Sequence, residues 1–214
     1  MLRIMLADDH DLIRLGLRHV LERNPEWKVC GEASNGREAA EIAATLKPDI
    51  AIVDLSMPEL NGLEATRQIL RSVPGTSVLI YTINESEKVV HEALSAGAKG
   101  IVLKSDLSSA IVQAVETLAQ GKPYFTSRVA EAVLKAYLAQ RAAGNESEVT
   151  VLTSRENEVL QLLAEGKTNK EVASILGIST RTAETHRADI MHKLDLKSLS
   201  DLVRYAVRNG VIRP

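Results

Sequence analysis

The stretch Ile50-Ala-Ile-Val-Asp54-Leu-Ser56-Met-Pro58-Glu-Leu-Asn61-Gly62 constrains the chain more than any other. It begins with a short apolar run bounded by turn signals, the pattern of a strand buried on both faces. Such a strand belongs in a parallel sheet with helices on either side. The run stops on a carboxylate, Asp54, and then Pro58 and Asn61-Gly62 break it and open a turn. A carboxylate at the carboxyl end of a buried parallel strand stands where open α/β sheets form their ligand crevice.

The flanking sequence repeats the arrangement. Arg3–Ala7 reads as a strand ending in Asp8-Asp9, and residues 11–22 carry a helical apolar stripe through Leu12, Leu15, Leu17, Val20 and Leu21. Trp27–Gly31 is a second strand, and an Ala-rich helix over 37–46 ends at Lys47-Pro48. After the Asp54 strand come a helix over 62–71, a strand Ser77–Tyr81 running into Thr82, and a helix over 86–96 closed by Gly97. A strand Gly100–Leu103 meets Lys104, and a helix runs from about 106 to 120. Five strands alternating with five helices predict a doubly wound, five-stranded parallel sheet.

The strand ends then share one crevice: Asp8-Asp9, Asp54, Thr82 and Lys104. Taken singly each has a bland explanation, as a turn, a helix cap, a strand terminus or a surface charge. Four such coincidences at four strand ends are harder to dismiss. Converging carboxylates repel, and a hard divalent cation with oxygen ligands relieves the repulsion. Mg2+ suits this, because it takes a few carboxylates and shares itself with phosphate oxygens. A carboxylate can also attack phosphorus and become an acyl phosphate. The set therefore suits phosphoryl transfer to Asp54, with Asp8, Asp9, Thr82 and Lys104 assisting.

Charge is distributed unevenly over the 214 residues. Residues 1–122 hold 13 Lys/Arg against 17 Asp/Glu, while residues 150–214 hold 10 against 8. The second half is thus the more basic, a slight asymmetry of the kind a basic partner-binding domain shows. Cys30 is the only cysteine, so no intramolecular disulfide forms and a reducing, cytoplasmic setting is expected. No apolar run approaches the ~20 residues of a membrane span.

Between the halves, Thr126–Gln140 has helical spacing and reads as a linker helix. Residues 141–148 are small and polar, the expected hinge. We therefore expect units at 1–122 and 150–214 joined by 123–149. Beyond 150, four helices follow without strands, over about 154–165, 169–176, 180–194 and 198–208. Thr153-x-x-Glu156, Thr168-x-x-Glu171 and Ser198-x-x-Asp201 have capping-box form. Leu176-Gly177-Ile178-Ser179 predicts a tight turn between the second and third helices, as in helix-turn-helix units. On the third helix, Ala183, Ile190 and Leu194 share a packing face. Arg181, Glu184, Thr185 and Ala188 share the opposite one, flanked by His186, Arg187 and Lys193. Cations at Lys170, Arg181, Arg187, Lys193 and Lys197 suit phosphates, and Glu184 and Thr185 suit base edges. Charge alone fits an ordinary solvated helix equally well, because Glu184, Asp189 and Asp195 dilute it.

With these residues in place, residues 1–122 resemble the CheY-like receiver domain of two-component response regulators. The resemblance rests on Asp8-Asp9, Asp54 with Met57-Pro58 and Asn61-Gly62, Thr82 and Lys104. It implies that Asp54 accepts phosphate from a histidine kinase. It also implies that Asp9, Asp54 and the Ser56 backbone carbonyl bind Mg2+, with Asp8 acting mainly through water. Thr82 would reach the phosphoryl group and Lys104 would ion-pair with it. The sequence departs from the pattern at Ile83, where a small residue is usual, and at Ile101, where an aromatic is usual. Ser105 replaces a frequent Pro, and the resemblance implies a cis bond before it.

Residues 150–208 resemble the LuxR-type helix-turn-helix of NarL/FixJ regulators. The motifs are Leu152-Thr153-x-Arg155-Glu156, Gly166-x-Thr168-Asn169-Lys170-Glu171-Val172-Ala173 and Thr182-Ala183-Glu184-Thr185-His186-Arg187. This places the helix-turn-helix at about 169–188 and DNA contacts among Thr168, Asn169, Lys170, Arg181, Thr182, Glu184, Thr185, His186, Arg187, Ala188 and Lys193. Leu199, Leu202 and Val203 would form the dimer face. The implied protein is not an enzyme but a phosphorylation-dependent transcription regulator that binds double-stranded DNA and forms a homodimer on activation. Phosphate would free the recognition helix, promote dimerisation, or both. The alternative is a phosphorylation-independent interaction module with DNA binding. A haloacid-dehalogenase-type phosphatase would need a second Asp where Ser56 stands. A flavodoxin-like FMN binder would need hydroxyl-rich contacts where Asp8-Asp9 stand.

Overall fold

The computed structural model describes residues 1–84, 86–131, 133–134 and 152–212. The expected hinge over 141–148, and most of the expected linker helix, lie outside them. Residues 127–131 are helical, and Val129 is buried against the first unit's core.

The strands are β1 (Leu2–Ala7), β2 (Trp27–Ala33), β3 (Ile50–Val53), β4 (Ser77–Thr82), β5 (Gly100–Leu103) and β6 (Tyr124–Phe125). Between them run α1 (Asp11–Leu21), α2 (Gly36–Leu46), α3 (Gly62–Ser72), α4 (Glu87–Ser95) and α5 (Ser108–Ala119). All pairings are parallel, in the order β2-β1-β3-β4-β5-β6. The expected five-stranded sheet therefore has six strands. The addition is two residues long, too short for any periodicity, and pairs Gly100 with Tyr124 and Ile101 with Phe125. None of the described peptide bonds is cis, contrary to the implication at Lys104-Ser105.

The sheet is sandwiched because its central strands are apolar on both faces. β3 is buried throughout, and its residues divide between two cores. Ala51 and Val53 face α2, α3 and α4, while Ile50 and Ile52 face α1 and α5. Cys30, on β2, is half-buried, and burial pushes its thiol pKa up.

The second unit is α6 (Ser154–Ala164), α7 (Asn169–Leu176), α8 (Thr180–Lys193) and α9 (Leu199–Arg208). Thr153 and Thr168 form complete capping boxes with Glu156 and Glu171. Ser179 caps α8, accepting from the Thr182 N–H. Ser198 accepts from the Asp201 N–H. Gly177 takes the left-handed conformation (φ 64°) that lets α7 end and α8 begin after a short turn. Leu160, Leu163, Val172, Ala183, Ile190, Leu202 and Ala206 are among the residues closing its core.

The two units meet through α6. Gln161 is fully buried; its Oε1 accepts from the Asn61 N–H at 2.7 Å and its Nε2 donates to the Met57 carbonyl at 2.9 Å. The Glu59 N–H donates to the Glu165 carboxylate at 3.1 Å, and Gln68 Nε2 donates to Glu158 at 3.0 Å. Farther along, Lys88 Nζ donates to Asn209 Oδ1 at 2.6 Å.

Candidate functional site

The carboxyl ends of β1, β3, β4 and β5 bring together the residues expected there. Asp8, Asp54 and Thr82 are almost fully buried, at 2%, 1% and 1% exposure. The Asp54 N–H donates to the Ala7 carbonyl at 2.8 Å, so β1 and β3 fix the two acids side by side. Lys104 enters from the end of β5. Its Nζ stands 2.6 Å from Asp8 Oδ2 and 3.0 Å from Asp54 Oδ2. The Lys104 backbone N–H also donates to the Thr82 carbonyl at 2.7 Å, tying β5 to β4 at the crevice. Thr82 Oγ1 accepts from the Asn84 N–H at 3.2 Å.

The loop after Asp54 is held tightly. A Cβ on Gly62 would lie 2.0 Å from the Asp54 carbonyl oxygen, and one on Gly36 would lie 1.9 Å from the Leu60 carbonyl oxygen. Only glycine permits either approach, so the loop is pressed between the starts of α3 and α2. Asn61 caps α3, accepting from the Glu64 N–H at 3.0 Å. Between these anchors Glu59 has φ 64°, and the Leu60 N–H donates to the Pro58 carbonyl at 2.7 Å. That is a γ-turn in the left-handed region, strained for a non-glycine residue.

Asp9 is more open, and His10 joins it. His10 Nδ1 lies 2.7 Å from Asp9 Oδ1 and 3.2 Å from Asp8 Oδ1. One donor atom each from Asp8, Asp9, His10 and Asp54 falls within 4.8 Å of the others. Three carboxylates against one ammonium leave an excess of negative charge among hard oxygen donors, a composition that fits a small divalent cation. Sequence reasoning missed His10, although it adjoins Asp8-Asp9 in the chain. It also missed Tyr81, whose ring centroid lies 5.8 Å from Lys104 Nζ. Of the two departures, Ile101 is buried in the sheet and Ile83 is 68% exposed beside Thr82.

In the second unit the expected contact residues lie mostly on one open surface. Thr168, Lys170, Arg181, Thr182, Glu184, Thr185 and Ala188 are exposed; Asn169, His186 and Arg187 are half-buried. The α8 face is therefore open while the two units are in contact. Lys193 is otherwise engaged, its Nζ 2.8 Å from the Glu156 carboxylate of the α6 capping box. Leu202 corrects the expected dimer face. It is fully buried in the four-helix core, leaving Leu199, 42% exposed, and half-buried Val203 to reach the surface.

Buried acids cluster where the units meet. Burial pushes the Glu64 pKa above the ordinary range; Arg67, Ser154 and Asn157 oppose this, and Glu158 adds to it. Burial likewise raises Glu165, against hydrogen bonds from Gln161 and Glu59 N–H and the charge of Lys167, with Glu59 adding to it. These contacts, with Gln161, were also missed in the sequence.

Comparison with known proteins accords with this arrangement. Residues 4–116 match the family described as response regulator receiver domain, and residues 150–206 match bacterial regulatory proteins, luxR family. The transcriptional regulatory protein LiaR of Bacillus subtilis (strain 168) is 37% identical over 214 residues, spanning 99% of this chain and all of its own. RcsB from Salmonella enterica serovar Typhimurium, bound to promoter rprA in the presence of phosphomimetic BeF3-, aligns with TM-score 0.62 at 28% identity. That alignment covers 95% of this chain and 97% of that one. A structure of two RcsB dimers bound to two parallel DNAs aligns with TM-score 0.59 at 27% identity, covering 95% and 96%. Among the described residues no helix is long and apolar enough to cross a membrane.

Proposed function

Because the chain belongs to the response regulators, a transcription regulator pairing a receiver with a LuxR-type DNA-binding domain, we propose that Asp54 is its phosphoacceptor and that phosphorylation controls DNA binding. The observation that carries this is the contact of Lys104 Nζ with both Asp8 and Asp54 at the foot of a buried crevice. In the transfer an Asp54 carboxylate oxygen attacks the phosphorus of a phosphohistidine on a partner kinase. The P–N bond breaks, its electron pair leaves with the imidazole, and an acyl phosphate forms. Lys104 counters charge on the incoming phosphoryl oxygens, and the Thr82 hydroxyl offers them a donor.

The donor set fits Mg2+, which Asp9, Asp54 and the Ser56 carbonyl would hold, with Asp8 assisting through water. The cation would supply charge neutralisation for the phosphoryl oxygens.

The second domain would position itself on duplex DNA through Lys170, Arg181 and Arg187 and read bases through Glu184 and Thr185. Since those residues are open while the domains are in contact, we assign phosphorylation chiefly to pairing through α9, at Leu199 and Val203. A homodimer would then engage two half-sites. The domain limits we assign are 1–122 and 150–214.

The test is phosphoryl incorporation from acetyl phosphate with Mg2+. Wild type should label and Asp54→Asn should not. Full labelling of the variant at this site would reject the assignment.

A further inference from the structure

We propose that the docked DNA-binding domain selects the phosphodonor. It roofs the mouth of the Asp54 pocket, so small phosphoanions reach Asp54 in the docked form and a phosphohistidine carried on a folded protein does not. Gln161 and Glu165 are the positioning residues that hold the roof. The inference rests on the reading of Asp54 as phosphoacceptor and adds what controls access to it.

Three observations carry it. First, docking covers the chemistry and leaves the DNA surface open. Asp9, Ser56 and Pro58 line one wall of a cleft, and Glu165, Val211 and Ile212 of the second domain line the other. A carboxylate oxygen of Asp9 lies within 4.8 Å of one from Asp54, so this cleft is the mouth of the phosphoacceptor pocket. Arg181, Glu184 and Thr185 on α8 are exposed in the same arrangement. Second, the cleft is too small for a protein. Its volume is about 370 Å3, the space of about a dozen waters at about 30 Å3 each. A single helix with its side chains is about 10–12 Å across, so a protein-borne imidazole reaches the mouth only after α6 and the C-terminal residues withdraw. Third, the roof is anchored on both sides. Gln161 joins the Asn61 N–H at 2.7 Å to the Met57 carbonyl at 2.9 Å, and Glu165 accepts from the Glu59 N–H at 3.1 Å. On the α4 side, Lys88 Nζ donates to Asn209 Oδ1 at 2.6 Å.

A protein donor therefore reacts only with the undocked fraction, and its rate scales with that fraction. Acetyl phosphate reacts with both forms. An Asp54 oxygen attacks its phosphorus, and acetate leaves with the electron pair of the broken P–O bond.

The experiment measures labelling of the full chain at Asp54, with Mg2+, from two donors. One is acetyl phosphate. The other is the autophosphorylated cytoplasmic part of a histidine kinase, chosen because it labels the wild type. Wild type is compared with Gln161→Ala/Glu165→Ala, which frees the roof. It is also compared with Lys88→Cys/Asn209→Cys in a Cys30→Ser background, joined by a short bismaleimide whose linker holds a reducible disulfide. Freeing the roof should speed labelling by the kinase about tenfold while labelling by acetyl phosphate changes by less than about twofold. The joined form should lose kinase labelling about tenfold or more, regain it on reduction, and keep labelling from acetyl phosphate. Equal changes for both donors would overturn the proposal, since the second domain would then act on the pocket itself and not on access to it. Kinase labelling of the joined form at the wild-type rate would overturn it too. If acetyl phosphate and every kinase tried left Asp54 unlabelled in all forms, the phosphoacceptor reading itself would fall, an outcome distinct from the other two.

Discussion

Gln161, on the first helix of the DNA-binding domain, accepts a 2.7 Å hydrogen bond from the backbone N–H of Asn61, seven residues beyond Asp54. Its amide also donates to the Met57 carbonyl, so one side chain spans the γ-turn at Glu59. Glu165, one helical turn on, accepts from the Glu59 N–H itself. The strained part of the receiver's loop is therefore hydrogen-bonded by the other domain. A buried donor or acceptor left without a partner costs about 1–3 kcal/mol. Gln161→Ala should accordingly loosen the domain contact. Small-angle scattering should report a larger radius of gyration, and the Asn61 amide should exchange faster. An unchanged Asn61 exchange rate would mean that the loop keeps its form without Gln161.

Lys104 is the counter-charge for two carboxylates that have almost no access to water. Lys104→Met keeps much of the volume and removes the charge. Breaking a buried pair from one side costs about 3–5 kcal/mol, so the melting temperature measured in chelator should fall sharply. Added Mg2+ should recover much of the loss by taking over the compensation. Asp54→Asn in the same background should recover part of it without any metal. Equal melting of Lys104→Met with and without Mg2+ would argue against cation binding beside these acids.

The fold and the acidic pocket were legible because each rests on local pattern. Ile50–Val53 is an unbroken apolar run, Gly97 and Gly177 stand where helices end, and the chemistry stands at strand ends that topology must align. β6 escaped because two residues have no period, and it forms only by pairing with β5. Leu202 was misassigned because the spacing of Leu199, Leu202 and Val203 marks an apolar face without saying which part meets the domain's own core. Gln161 was invisible for the opposite reason. A glutamine on an amphipathic helix reads as a surface residue until the other domain supplies the backbone groups it satisfies.

The domain contact should depend on pH. It places Glu64 beside Glu158 and Glu59 beside Glu165. The charged groups facing them are Arg67, with Arg155 on Glu158, Lys167 near Glu165, and Arg37 4.0 Å from Glu59. Burial raises Glu64 and Glu165 above the ordinary 4.5, so the docked form binds more protons than the open one. A raised acid favours the docked form at low pH, and that advantage is lost as pH climbs from 4.5 through the raised values. Docking should therefore tighten as pH falls from neutral through the raised values toward the ordinary carboxylate range. Glu156 acts in the opposite sense. Burial raises it, but Lys193 and Thr153 outweigh this and hold it low, so its contribution to the second domain fades only in stronger acid. Glu64→Gln with Glu165→Gln should flatten the pH dependence of amide exchange across the interface. A slope equal to that of wild type would place the titrating groups elsewhere.

Two cations on α8 should respond differently to truncation. Arg181 is exposed on the open face, whereas Lys193 is held at 2.8 Å from the nearly buried Glu156. If Arg181 neutralises one phosphate, Arg181→Ala should weaken binding to all duplexes alike and reduce the slope of log K against log salt by about 0.9. Its melting temperature should stay within experimental error of wild type. Lys193→Ala should instead lower the stability of the DNA-binding domain by about 1 kcal/mol, the partial exposure of its ammonium limiting the loss. At a temperature where both proteins are fully folded, its salt slope should match wild type. A reduced slope for Lys193→Ala, with melting unchanged, would show that the lysine leaves Glu156 and goes to the DNA backbone.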